Sequence, residues 1–185
     1  MTETLNHVEI TPQLLYKAIC TLRDRWVQRG NVKEVYQINR AWCWSFAEDL
    51  FDLLAIEERV SKDKLLGDRG NFGDQDVLFY LSNECFQMIH DANGKEIPIF
   101  REDGVDYFAW NIDLLERWNL KPPQGMSWEE ANRVPFGYHV FLVFNNRFYD
   151  AECPEGVNSF FDLPLYKETI QEYLNENQKK TEGMI

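Results

Sequence analysis

Apolar side chains recur at helical spacing from Leu15 through Ala18, Ile19 and Leu22 to Trp26. Residues three and four apart share one face of a helix, so this stretch predicts an amphipathic helix. Thr11 supplies its cap, Pro12 its first position and Gly30 its stop. A short polar stretch leads to Arg40, and the pattern resumes from Trp42 to Leu54. There Cys43, Ala47, Leu50 and Leu54 fall on one face, with Phe46 and Phe51 at its margins and Glu48, Asp49 and Asp52 toward the other side. That predicts a second amphipathic helix with Cys43 in its first turn.

The pattern then weakens. Residues 57–75 are charged and rich in glycine (Gly67, Gly70, Gly73) and read as a mobile loop. Val77 to His90 is apolar but fits helix and strand equally, Ile97 to Phe100 reads as a strand, and Asn111 to Trp118 as a helix ended by Pro122-Pro123. Ser127-Trp128-Glu129-Glu130 is a capping-box pattern that starts a short helix. The block at about 58–135 is read as an insertion in one domain spanning 1–185.

Order returns near the C-terminus. Tyr138 to Phe144 predicts a strand, Asn145-Asn146 a two-residue turn, and Arg147 to Ala151 the return strand, because asparagine tolerates the positive φ such turns need. Leu163-Pro164 introduces a last helix through Leu174, with a frayed polar tail from Asn175.

Composition narrows the function classes. The formal net charge is −12, which repels phosphate backbones and anionic lipid, so neither nucleic acid nor a membrane is an expected partner. The N-terminus has no secretory apolar segment and the chain has no transmembrane run, which points to the cytoplasm. The four cysteines, Cys20, Cys43, Cys85 and Cys153, form no closely spaced pairs, so a structural zinc site is not expected.

Cys43 stands out by its position. A cysteine nucleophile needs a lowered pKa, a base within reach and donors for an oxyanion. A helix start favours thiolate and presents main-chain N–H groups. The hairpin supplies a base. With a turn at Asn145-Asn146, Phe144 pairs with Arg147, and the same register sets Phe141 opposite Asp150 and His139 opposite Glu152. His139 and Asp150 are then diagonal neighbours on one face, roughly 7–8 Å apart at the backbone. Asp150 can orient the imidazole and stabilise its cation, with Glu152 as the alternative third residue. Gln37 stands six residues before Cys43. Trp44 and Tyr138 are candidate walls of the cleft.

Two blocks carry a resemblance: Trp42-Cys43-Trp44-Ser45-Phe46-Ala47-Glu48-Asp49-Leu50, and Gly137-Tyr138-His139-Val140-Phe141-Leu142-Val143-Phe144 running on to Tyr149-Asp150-Ala151-Glu152-Cys153-Pro154-Glu155-Gly156-Val157. They resemble the cysteine, histidine and aspartate blocks of the papain-like superfamily, including its NlpC/P60-type and transglutaminase-like branches, and most of all small phage, plasmid and bacterial papain-fold proteins. The interval from Gln37 to Cys43-Trp44 is similar to that superfamily's oxyanion-hole spacing, and the resemblance implies Gln37 as the candidate oxyanion donor. Asp150 departs from papain itself, which has asparagine there, and is closer to the transglutaminase-like members.

The resemblance implies an α+β fold in which a Cys-bearing helix packs on a small antiparallel sheet. It also implies a cysteine hydrolase or acyltransferase of the peptidase, amidase or transglutaminase-like kind. Such an enzyme works through a thioester on amide or ester substrates, a host protein among them, and needs no cofactor and no metal. The rival class is a catalytically inactive papain-like fold that binds a protein partner. A third reading gathers Cys43, His139 and Cys153 around a metal.

Overall fold

In a computed structural model the described residues are 7–62, 65, 79–81, 86–87, 89–90, 96–97, 100–102, 105–107, 109–110, 118–131, 133–136 and 139–182. The chain divides into two units, one of residues 1–82 with 139–163, the other of residues 83–138 with 164–185. The second unit takes in residues 83–138, which overlap the block read as an insertion over 58–135, together with the C-terminal residues 164–185.

In the first unit, helix α1 spans Pro12–Gln28. Thr11 Oγ1 accepts from Leu14 N at 3.1 Å and closes its first turn. At its end Gly30 has φ +74°, and Asn31 N donates to Trp26 O at 3.0 Å, so the last turn closes by the glycine-dependent motif expected of a C-terminal cap. The segment read as a polar connection to Arg40 is in part helical: a π turn spans Ile38–Trp42. Helix α2 follows over Cys43–Asp52, and a second π turn over Leu53–Glu57 extends it. Trp42 has φ −130° and ψ 16°, so α2 starts afresh at Cys43.

Strand β1 (Phe79–Leu81) lies beside β8 (Phe141–Phe144), which pairs in turn with β9 (Arg147–Tyr149), giving a three-stranded antiparallel sheet. Asn145 and Asn146 have φ of 50° and 55°, the values of a type I′ hairpin turn. Phe144 pairs with Arg147, Val143 with Phe148 and Leu142 with Tyr149, the register expected from that turn. Both strands are shorter than expected, so His139 and Asp150 sit just beyond the paired segment.

Helix and sheet meet in a core that joins Leu15, Ile19, Phe46 and Leu50 to Leu142, Phe144 and Tyr149. Burial of this apolar face is the main force holding α2 against the hairpin. On the other face Phe141 stacks on Phe160 at 5.6 Å between ring centres, with Phe148 edge-on to both. The fold of this unit is α+β, mixing helices with a small antiparallel sheet.

The second unit contains short antiparallel ladders, β2 (Phe86–Gln87) with β7 (Ala109–Trp110), β3 (Ile89–His90) with β4 (Glu96–Ile97), and β5 (Phe100–Glu102) with β6 (Val105–Tyr107). Val77–His90, left open between helix and strand, is strand wherever it is described. Helix α3 (Trp128–Ala131) carries the expected capping box, with Glu130 Oε2 accepting from Ser127 N at 2.7 Å and Ser127 Oγ accepting from Glu130 N at 3.2 Å. The helix expected over Asn111–Trp118 lies outside the described residues except at Trp118, which is in a turn. Most of the loop read over 57–75 also lies outside them.

Helix α4 runs over Pro164–Glu182, well past Leu174. The tail expected to fray is helical because Glu, Gln and Lys are strong helix formers, and Lys179 and Lys180 suit the negative end of the helix dipole. Among the described residues no helix is long and apolar enough to cross a membrane.

Candidate active site

Cys43 is the first residue of α2 and is buried, with 7% exposure. It packs with Ala47 and Val140. Val140 follows His139 in sequence, so the loop entering β8 brings the imidazole to the start of α2. His139 is fully buried. Its Nε2 lies 3.1 Å from Asp150 Oδ2. The thiol of Cys43 interacts with the same ring, and each group shifts the pKa of the other. The imidazole thus couples the thiol to the carboxylate.

The acid is held as firmly as the ring. Asp150 is 3% exposed. Its Oδ1 accepts from the main-chain N–H groups of Glu152 at 2.9 Å and Cys153 at 2.8 Å. This turn uses one carboxylate oxygen and aims the other at His139. Asp150 therefore takes the position beside the ring, and Glu152 does not. The Glu152 carboxylate accepts instead from Asn39 Nδ2 at 2.7 Å.

Asn39 went unnoticed in the sequence. It is 1% exposed and lies in the π turn that leads into Cys43. Its bond to Glu152 ties that turn to the loop after Asp150, across 113 positions of sequence. Four residues before Cys43, in a stretch that also holds Gln37 and Arg40, a polar side chain ordinarily faces water, so the sequence carries no signal that singles Asn39 out.

Gln37 is half-buried, and its Oε1 accepts from Lys33 N at 2.8 Å and Glu34 N at 3.2 Å. Two N–H donors demand an acceptor, which fixes the amide's orientation and turns its Nε2 away from them. Trp42 and Trp44 are surface-exposed, at 51% and 38%, so neither is core, whereas Phe46 is buried. Tyr138 and Cys85 lie outside the described residues.

The electrostatics follow from these contacts. Burial alone would raise the pKa of Cys43, but the hydrogen bond to His139, with main-chain N–H groups of Val140 and Trp44 turned on the sulfur, lowers it. Burial would likewise favour neutral His139. The bonds to Asp150 and Cys43 outweigh it and push the imidazole up to about 9. Both shifts act in favour of the thiolate–imidazolium form over the neutral pair. Cys153, also buried, is driven the other way to about 12, by burial and then by Glu155 and Asp150. Among the described residues no three His, Cys, Asp or Glu side chains gather as metal ligands, so Cys43, His139 and Cys153 do not form the cluster that the metal reading requires.

Comparison of the chain with protein-family models, with curated proteins and with solved structures finds no match in any of the three.

Proposed function

We propose that this protein is a cysteine-dependent acyl-transfer enzyme of papain-like type, a hydrolase or acyltransferase acting on amide or ester carbonyls. The observation that carries the reading is the buried cluster of Cys43, His139 and Asp150, in which one imidazole meets the Asp150 carboxylate through Nε2 and also interacts with the Cys43 thiol. Cytoplasmic residence, the absence of a cofactor and the papain-like fold belong to the same reading.

In the proposed mechanism the Cys43 thiolate attacks the carbonyl carbon, and the carbonyl electrons move to oxygen. Gln37 Nε2 and the Cys43 N–H are the oxyanion donors. His139 gives its Nδ1 proton to the departing amine or alcohol as the C–N or C–O bond breaks, leaving a thioester on Cys43. Water or an amine then loses a proton to His139 and attacks the thioester, and the thiolate returns. Asp150 keeps the imidazole in the tautomer and orientation that both proton transfers require.

A second reading, an inactive papain-like fold that binds a protein partner, is favoured by one observation: Cys43 is only 7% exposed. Thiol alkylation at about pH 6 decides between them, because an ordinary thiol is less than about one per cent ionised there. Rapid, selective labelling of Cys43 by iodoacetamide is expected of the enzyme. Uniform slow labelling of all cysteines would leave Cys43 a packed thiol and favour the binding module.

A further inference from the structure

A hollow of about 410 Å³ lies among the residues that precede Cys43 in sequence, within the size range of small-molecule sites of roughly 300–1,000 Å³. Its walls include Lys33, Tyr36, Gln37, Arg40 and Trp42. Trp42 is the chain neighbour of Cys43, and Gln37 is the proposed oxyanion donor.

The charge around the hollow runs against that of the whole protein. From Lys17 to Arg40 the chain holds six Lys and Arg residues against two acids, while the remainder holds 13 against 29. Lys33 and Arg40 line the hollow itself, the Arg40 guanidinium lying 4.9 Å from the Tyr36 ring centre. The aromatic walls are open to solvent, Tyr36 at 40% and Trp42 at 51%. Large aromatic surface held in water beside cations favours a ligand with a flat or apolar stem and an anionic group.

We propose that this hollow is the substrate subsite of the Cys43 centre and takes a peptide-like amide bearing a carboxylate. Lys33 and Arg40 receive the carboxylate, while Tyr36 and Trp42 flank the chain that carries it. Gln37, with Oε1 anchored to the main chain, presents its Nε2 to the reacting carbonyl. The proposal rests on the acyl-transfer reading and adds a substrate class to it. Phosphate contacts would use the same cations, but a thiolate acting on acyl carbons calls for an amide or ester substrate, which favours the carboxylate.

The test uses two peptidyl chloromethyl ketones identical except for Glu or Gln beside the reactive carbon. In each, the Cys43 sulfur bonds to the methylene carbon and chloride leaves. Rates on the full-length chain are divided by that of iodoacetamide on the same variant, which removes differences in thiol reactivity and folding. The Glu compound is expected to react about tenfold faster at low salt, with the advantage shrinking in roughly 0.5 M NaCl. The Lys33→Gln/Arg40→Gln double variant is expected to bring the two compounds level.

Equal rates on the unaltered protein, or a preference that survives the double variant, overturn the subsite. Protection of Cys43 by inorganic phosphate stronger than by glutarate overturns the carboxylate class. Failure of iodoacetamide to label Cys43 selectively overturns the acyl-transfer reading beneath it, a result distinct from the other two.

Discussion

Cys43 and Cys153 are both buried thiols of the same unit, at 7% and 5% exposure, yet their surroundings push them in opposite directions. Cys43 opens a helix, faces an imidazole and receives main-chain N–H groups, and its pKa falls. Cys153 sits in the turn after Asp150 with Glu155 beside it, and its pKa rises to about 12. Burial is shared, so burial cannot be the difference. What differs is the sign of the charge facing each sulfur. One carboxylate acts on both. Asp150 helps raise the pKa of His139, the ring whose interaction lowers that of Cys43, and it raises the pKa of Cys153 directly.

The largest expected effect is selectivity. At about pH 6 a thiol with a pKa about 12 is ionised on the order of one part in a million, so iodoacetamide should modify Cys43 at least about a hundredfold faster than Cys153. Peptide mapping by mass spectrometry after timed alkylation checks this. Comparable labelling of the two thiols would erase the contrast.

Next is His139→Ala, which removes the cation facing the sulfur. Labelling of Cys43 at pH 6 is expected to slow by about tenfold or more, with Cys153 unchanged. An unaltered Cys43 rate would show that the N–H donors alone sustain its reactivity.

Asp150→Asn sharpens the comparison because it should move the thiols in opposite directions. Cys43 labelling is expected to fall by about threefold to fivefold, since the ring keeps a neighbour but loses the charge that holds its proton. Cys153 labelling, followed at about pH 9, should rise. A change in the same direction at both sites would mean that Asp150 acts by holding the turn, not by its charge.

The smallest effect concerns stability against pH. His139 is raised from 6.5 to about 9, so its contribution is fully present below pH 6.5 and lost as pH rises toward 9. The lowered Cys43 has the opposite sign: its contribution is present above the ordinary thiol range and lost as pH falls through its folded value. The two offset each other while the ion pair persists. Urea unfolding at pH 6.5 and 8.5 should therefore show a steeper loss in Cys43→Ala than in the unaltered chain, by up to about 1 kcal/mol. Parallel slopes would argue against the ion pair.

Much of this arrangement was legible from one-dimensional pattern. The buried faces of α1 and α2 are those that the apolar spacing marked, down to Cys43, Ala47, Leu50 and Leu54. Asn145-Asn146 set the hairpin register, and the register put His139 and Asp150 on one side. The misreadings have physical causes. A π turn has no apolar period of its own, so its first residues, up to Arg40, read as part of a polar connection. The tail of α4 lacks apolar residues and so reads as frayed, although its Glu, Gln and Lys side chains have strong helix propensity. Over 58–135 short strands alternate with glycines and charges, and no period is sustained long enough to read.

Helix periodicity, capping and turn geometry are local properties, so the chain's pattern marks the candidate residues and the segments that carry them. The choice between Asp150 and Glu152, two carboxylates two residues apart, is made by folding. The decision came from an Asx-type turn that aims Asp150 Oδ2 at His139, and from a buried Asn39 that draws Glu152 away. Cys43 and Cys153 could not be ranked by burial, and their neighbours come from distant parts of the chain. Electrostatic environment is set by what folding brings within a few ångströms, and sequence distance does not record it.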